Sequence, residues 1–286
     1  MRDNRLMSDT AVIVVSGATG RLGGRVARRL AEAGIRQRLL VRDPDRAPRL
    51  PGTEVAVAEY GDAAALPAAL AGAGTVLMVS ASETPDRVDR HRTFADAAAA
   101  AGVGHLVYIS FLNAAPDATF TLARDHWATE QHIRAGGLPF TFLRDSLYAD
   151  FLPMMAGDDG VIRGPASDGR VSVVAQDDIA DAASAVLRDP HPHIGATYDL
   201  TGPAALTFTE MAATITEVTG RPTRFENETL EQAYASRARY GAPRWQVDAW
   251  VSTYTAAAAG ELATVSDHVR QLTGHPATSL AGLLIR

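Results

Sequence analysis

Short apolar runs recur along the first half of the chain, each followed by a longer stretch of helical periodicity. Ala11-Val-Ile-Val-Val15 comes first and leads through Gly17–Gly24 into an amphipathic segment that ends at Gly34. Further apolar runs fall at 38–41, 55–58, 75–79, 105–109 and 140–143, with helical patterns at 63–71, 86–101 and 120–135 between them. Buried strands alternating with helices at this spacing predict a parallel sheet with right-handed crossovers. The fold class expected is α/β, a Rossmann-type doubly wound parallel sheet with a smaller, mainly helical C-terminal lobe. The rhythm breaks near residue 150. Val171–Val174, a helix capped by Asp177 and Asp178, and the short run Tyr198-Asp-Leu200 are expected to rejoin the sheet domain. The sheet domain is therefore drawn over 11–150 with 171–200, and the smaller lobe over 151–170 and 201–286. Residues 1–10 are polar and read as a loose leader, with Met7 an equally good start.

The first turn carries the most chemistry. Gly17, Gly20 and Gly23 are spaced G-x-x-G-x-x-G between a strand and a helix. Gly17 permits a tight turn, Gly20 lets backbone approach a pyrophosphate, and Gly23 lets the helix pack close to the sheet. Ala18, Thr19, Arg21 and Leu22 complete the turn, and the helix N-terminus offers unpaired N–H groups to phosphate.

Composition narrows the function classes. The chain has 286 residues, 47% of them apolar, and a formal charge of −6 without a basic block, which argues against a nucleic-acid partner. No run is long enough to span a membrane, no signal peptide is evident, and the expected location is the cytoplasm. There is no cysteine, so disulfides, thiolate metal sites and a cysteine nucleophile are excluded. All 27 basic side chains of the Lys+Arg class are arginine, so no mechanism can use a lysine. His191-x-His193 is flanked by prolines and reads as a surface turn; no metal site is expected.

The end of the second strand selects the cofactor. A carboxylate there receives a ribose 2′-hydroxyl, whereas a guanidinium receives a 2′-phosphate. Arg42 precedes Asp43, Arg46 follows within a turn, and Arg21 lies in the neighbouring loop, so NADPH is expected, with NADH weaker. Asp62 is expected near the adenine, and Ser80, Ala81 and Ser82 near the nicotinamide ribose.

With these residues in place, the chain resembles the atypical short-chain dehydrogenase/reductases, the NmrA-like superfamily. It is most similar there to the type 2 NAD(P)H:quinone oxidoreductases and triphenylmethane dye reductases. The matching segments are Gly17–Gly24, Leu40–Pro44, Leu106–Ser110, His126-x-Ala-Thr-Glu130, Leu138–Arg144 with Tyr148, and the tail from Gly260 to Gly274. The resemblance implies an NAD(P)H-dependent oxidoreductase. Most of the superfamily uses a Tyr-x-x-x-Lys pair; here those positions fall on Leu122 and His126. An acceptor that is already electron-poor, a quinone or a conjugated dye, takes hydride without that acid.

The residues expected to act on substrate are His126, Tyr148 and Ser110, with Phe111, Tyr148, Phe151 and Trp245 lining the aromatic slot. His91, His105, His191 and His193 carry no functional expectation. The partner expected is a small aromatic or quinone molecule, and a homodimer is an allowed assembly. Two alternatives stay open: a ketoreductase of a polycyclic aromatic compound, protonated by its own substrate, and a regulator that senses NADP without turning it over.

Overall fold

The computed structural model describes residues 12–285, so the expected leader and Ala11 lie outside the described residues. The chain runs β1 (Val12–Ser16), α1 (Arg21–Glu32), β2 (Gln37–Val41), β3 (Thr53–Val57), α2 (Leu66–Leu70), β4 (Ala73–Met78), α3 (Arg87–Ala100), β5 (His105–Phe111), α4 (Thr121–Ala135) and β6 (Phe140–Asp145). It continues through α5 (Leu152–Met155), β7 (Val161–Gly164), β8 (Arg170–Val171), α6 (Gln176–Arg188), β9 (Thr197–Leu200), β10 (Leu206–Thr207), α7 (Phe208–Thr219) and β11 (Arg224–Asn227). Four helices close it: α8 (Leu230–Arg237), α9 (Arg244–Ala258), α10 (His268–Thr273) and α11 (Leu280–Leu284).

Seven strands form one parallel sheet in the order β3-β2-β1-β4-β5-β6-β9. From β1 the chain winds outward through β2 and β3, then returns to β4 and winds the other way. The switch point thus lies between β1 and β4, paired from Ile13↔Thr75 to Val15↔Leu77. β5 is buried along all seven residues, which is why it reads as a continuous apolar run rather than an alternation. β3 and β9 are the edge strands, and β3 leaves Val55 and Val57 exposed.

By its internal contacts the chain forms two units, and it passes between them repeatedly. Unit 1 holds the chain up to Ile109, Thr129–Leu143 and Ala180–Thr197; unit 2 holds Ser110–Ala128, Arg144–Ile179 and the chain from Tyr198 onward. The expected return of the chain to the sheet unit over 171–200 corresponds here to Ala180–Thr197, and unit 2 also takes Ser110–Ala128 and the chain from Arg144. The last residues of β5 and of β6 already belong to unit 2, because Phe111, Ala149 and Leu152 join its apolar core with Phe120, Ile162 and Phe208. Unit 1 has its own core, in which Val14, Val76, Leu106 and Tyr108 meet Phe94 and Phe142.

Unit 2 contains pairings that helical periodicity conceals. β7 and β11 pair in parallel, and β8 and β10 pair antiparallel. The strand expected at 171–174 shortens to Arg170–Val171, and Val174 instead bridges to Tyr148. The helices begin on strong caps: Thr207 and Glu210 form a capping box on α7, and Thr229 and Gln232 form one on α8.

Candidate functional site

The glycine turn after β1 has the geometry of a phosphate cradle. Gly17 sits at φ +64°, and a Cβ there would stand 3.2 Å from the Cβ of Val79. The Gly20 N–H donates to the Gly17 carbonyl at 2.9 Å, closing the turn. Gly20 caps α1 without a side-chain hydrogen bond, and no acidic residue occupies the first helical turn. A Cβ at Gly23 would lie 2.4 Å from the Gly17 oxygen, so the close approach of helix to turn requires glycine. Ala18 and Leu22 are buried, Thr19 is half-buried, and Arg21 is exposed. A helix N-terminus with no side-chain cap or acidic residue, and glycines at 17, 20 and 23, fit the pyrophosphate of a dinucleotide.

At the end of β2 one oxygen of the Asp43 carboxylate is used locally. Asp43 Oδ1 accepts the Asp45 N–H at 3.0 Å and caps the turn Pro44–Arg46. Arg42 and Arg46 are both exposed beside it. Asp62 is likewise engaged locally, its Oδ1 accepting the Ala64 and Ala65 N–H groups at 3.1 and 3.0 Å.

Two networks that the sequence reading missed hold the ends of β1 and β4. The Tyr60 hydroxyl donates to the Val79 carbonyl at 2.5 Å and bonds Ser16 Oγ, which itself accepts the Val79 N–H at 3.0 Å. Burial pushes the Tyr60 phenol well above its ordinary range, opposed by the Ser16 hydrogen bond and the charge of Arg42. Just beyond β4, the Ala81 N–H donates to His91 Nε2 at 2.9 Å, and Arg87 Nε donates to the Ala81 carbonyl at 3.0 Å. His91 Nδ1 meets Thr129 Oγ1 at 2.9 Å, and burial, aided by the Arg87 charge, holds the imidazole down at about 3. The segment expected to meet the nicotinamide ribose, Ser80–Ser82, is thus gripped at both polar groups of its middle residue. The one local hint was Ser16, a polar residue closing an apolar strand. The partners of Tyr60 and His91 lie 10 to 44 residues away and leave no local pattern.

Unit 2 carries the residues expected to act on substrate. Ser110 is fully buried at the end of β5, and His126 is buried on α4. The His126 ring lies 6.0 Å from that of Phe111, which packs on Phe120 at 4.8 Å. Leu122, one turn before His126, packs against the unit 2 core. The Tyr148 hydroxyl donates to Asp145 Oδ2 at 2.8 Å, and its ring lies edge-on to Phe151 at 5.5 Å. The structure therefore pairs Phe111 with His126 and Tyr148 with Phe151.

A cavity of about 490 Å³ opens in unit 2, and Met154, Met155, Arg239, Tyr240 and Trp250 are on its wall. Trp245 is not; the tryptophan that reaches the cavity is Trp250, five residues further along α9.

A family model described as the NmrA-like family matches residues 9–242. The chain belongs to the NmrA-like family. Its glycine turn, Tyr60, His91, His126 and Tyr148 all fall inside the span shared with the NmrA-like family, whereas Trp250 lies past it. A (4-alkanoyl-5-oxo-2,5-dihydrofuran-3-yl)methyl phosphate reductase from Streptomyces griseus is 39% identical over 272 residues, 93% of this chain and 94% of its own. The crystal structure of the Escherichia coli NADPH-dependent quinone oxidoreductase QOR2 with NADPH superposes with a TM-score of 0.87 at 33% identity, covering 96% of this chain and 98% of that one. Citrobacter sp. triphenylmethane reductase complexed with NADP(H) gives 0.85 at 30% identity, covering 96% and 98%. Among the described residues no helix is long and apolar enough to cross a membrane.

Proposed function

We propose that this protein is an NADPH-dependent reductase of a quinone-like or conjugated aromatic acceptor. The observation that carries the reading is Leu122 on α4, an apolar side chain packed against the unit 2 core one turn before His126; by the family resemblance these are the positions of the phenol and the lysine. An unactivated ketone becomes a strongly basic alkoxide and needs an acid there; a quinone becomes a hydroquinone oxyanion that takes its proton from water. The likeness to a quinone oxidoreductase and a triphenylmethane reductase over 96% of the chain supports the same class of acceptor.

When bound, NADPH supplies the hydride. The chain's own part is to bind and to orient. The N–H groups at the start of α1 take the pyrophosphate, and the guanidinium groups of Arg42 and Arg46 take the 2′-phosphate. His91 and Arg87 hold the Ala81 backbone against the nicotinamide ribose. In unit 2, His126 orients the acceptor carbonyl, and Tyr148, its proton directed to Asp145, faces the acceptor with Phe151. Positioning of this kind supplies most of the rate when the acceptor is already electron-poor.

A second reading, reduction of a smaller conjugated carbonyl compound, is favoured by the 39% identity to the Streptomyces griseus enzyme. One assay tests both: NADPH oxidation with benzoquinone, menadione, a triphenylmethane dye and a 2-acyl-butenolide. Turnover of the quinones or the dye is the expected result. Turnover of the butenolide alone would favour the second reading. Equal binding of NADPH and NADP⁺ with no acceptor reduced would overturn both in favour of a cofactor sensor.

A further inference from the structure

The cavity in unit 2 has a wall of one charge sign. Its charged lining residues are Arg163, Arg237 and Arg239, with no Asp or Glu among them. Two of the three are neutralised from behind. Arg237 is buried and paired with Glu228 at 2.9 Å, and it also donates to the Arg163 carbonyl at 2.9 Å. Arg163 donates to Asp159 at 2.6 Å and lies 3.8 Å from Glu226. Arg239 differs. Among the described residues no carboxylate pairs with it; its guanidinium donates to the Tyr240 hydroxyl at 2.9 Å and lies over that ring.

The rest of the wall suits a flat conjugated molecule. Tyr240 and Trp250 stand edge to face, 5.8 Å apart at 85°. Met154 and Tyr240 are 59% and 58% exposed, large apolar side chains left facing solvent at the cavity rather than packed in a core. Methionine adapts its shape to planar ligands, and an exposed aromatic beside a cation recognises a π-system that carries charge.

We propose that this cavity holds the substituted end of the acceptor, away from the carbonyl that His126 is proposed to orient, and that Arg239 receives an anionic substituent there, a sulfonate, carboxylate or phosphate. The proposal rests on the reductase reading for what the ligand is and on unit 2 alone for where it binds. An arginine–anion hydrogen bond strengthens as the guanidinium is freed of competing carboxylates, which makes Arg239, rather than Arg163 or Arg237, the discriminating residue.

The probe is a matched pair, 1,2-naphthoquinone and 1,2-naphthoquinone-4-sulfonate. A chain without cysteine or lysine has few groups for such electrophiles to modify. Binding is read by tryptophan fluorescence with NADP⁺ present, and turnover by NADPH oxidation. The expected result is a sulfonate bound about tenfold more tightly than the neutral quinone, with the preference falling as salt is added. Arg239→Gln should reduce that ratio to near unity, and Arg239→Lys should restore part of it. A wild-type ratio near one, or a ratio unchanged in Arg239→Gln, would overturn the proposal. Arg239-dependent sulfonate binding without turnover of either quinone would retain the anion site and reject the reductase reading. Turnover of both quinones with equal binding would do the reverse.

Discussion

His91 Nε2 accepts the backbone N–H of Ala81 at 2.9 Å, and that one bond fixes the state of the imidazole. An accepting Nε2 cannot carry a proton, so the ring is neutral and Nδ1 bears the hydrogen, facing Thr129 Oγ1 at 2.9 Å. With Arg87 holding the Ala81 carbonyl, the histidine is a positioning residue for the segment proposed to meet the nicotinamide ribose. His91→Ala is expected to raise the Kd for NADPH by about tenfold, the equivalent of one lost buried hydrogen bond. His91→Gln, which keeps an acceptor, should recover part of the loss. Titration of both variants with NADPH checks this; equal and undiminished affinity in His91→Ala would remove the role.

The same burial makes acid stability a histidine property. His91 is held at about 3 by burial and the Arg87 charge, and His105 at about 4 by burial and the His193 charge, both below the unfolded value of 6.5. A depressed pKa means that the folded state favours the neutral ring. The stabilisation is therefore complete above pH 6.5 and is lost as pH falls toward the folded values. Each histidine contributes a slope of about 1.4 kcal/mol per pH unit in that window. Urea midpoints at pH 7.5 and 5.0 should differ by an amount equivalent to about 2–4 kcal/mol for the two groups together. The double variant His91→Gln/His105→Gln should narrow the gap; an unchanged gap would place the acid sensitivity elsewhere.

These two histidines also show where reading a sequence stops. The parallel sheet was visible because each strand is a short apolar run and each helix a periodic one, and the glycine turn because its three residues are local. His91 and Tyr60 act through partners that only the fold brings near, so each looked like an ordinary helix or loop residue. The β7–β11 pairing was hidden for a different reason: Arg163 interrupts the short buried run of β7, and Arg224 and Glu226 make β11 a solvent-facing strand without an apolar signature. Trp245 and Trp250 were told apart only by the geometry of α9. Trp250 reaches the cavity and Trp245 does not, although both lie on the same helix five residues apart.

Gly23 and Gly24 offer an internal control on the cradle. A Cβ at Gly23 would meet the Gly17 oxygen at 2.4 Å and its carbonyl carbon at 2.6 Å, backbone atoms that cannot swing aside. A Cβ at Gly24 would meet the Ala18 oxygen at 3.1 Å, a contact that a shift of tenths of an ångström relieves. Gly23→Ala is expected to destabilise by about 1–3 kcal/mol through overpacking and to open the turn that receives the pyrophosphate. Gly24→Ala should be close to neutral, because its helix propensity gain of up to about 1 kcal/mol offsets the strain. Thermal unfolding with and without NADPH separates them; similar losses in both would deny Gly23 its special role.

Tyr60 joins β1 to β4 through its hydroxyl, and its ring packs on Phe94 at 4.5 Å. Tyr60→Phe keeps the ring and removes the bridge, leaving the Val79 carbonyl short of a donor. The expected loss is about 1–3 kcal/mol in denaturant unfolding, with weaker NADPH binding because Gly17 abuts Val79. A loss of stability without any change in NADPH affinity would confine Tyr60 to the strand pairing.

Arg42 is the residue proposed to choose between the two nicotinamide cofactors. Asp43 is the residue that would receive ribose hydroxyls in an NADH-binding protein, yet its carboxylate is used by the Asp45 N–H in the turn Pro44–Arg46. Beside it, the exposed guanidinium groups of Arg42 and Arg46 are the positive charges that the end of β2 offers to a 2′-phosphate. A charge-assisted hydrogen bond to phosphate is worth about 1.5–3 kcal/mol, so Arg42→Ala should weaken NADPH by about ten- to a hundredfold. NADH, which has no 2′-phosphate to lose contact with, should bind about as before. Asp43→Ala should loosen the turn and lower stability without shifting preference toward either cofactor. Calorimetric titration of both variants with NADPH and NADH reads the selectivity directly. Equal losses for the two cofactors in Arg42→Ala would mean that the guanidinium supports the loop rather than the 2′-phosphate, and a selective loss of NADH in Asp43→Ala would return the ribose contact to the carboxylate.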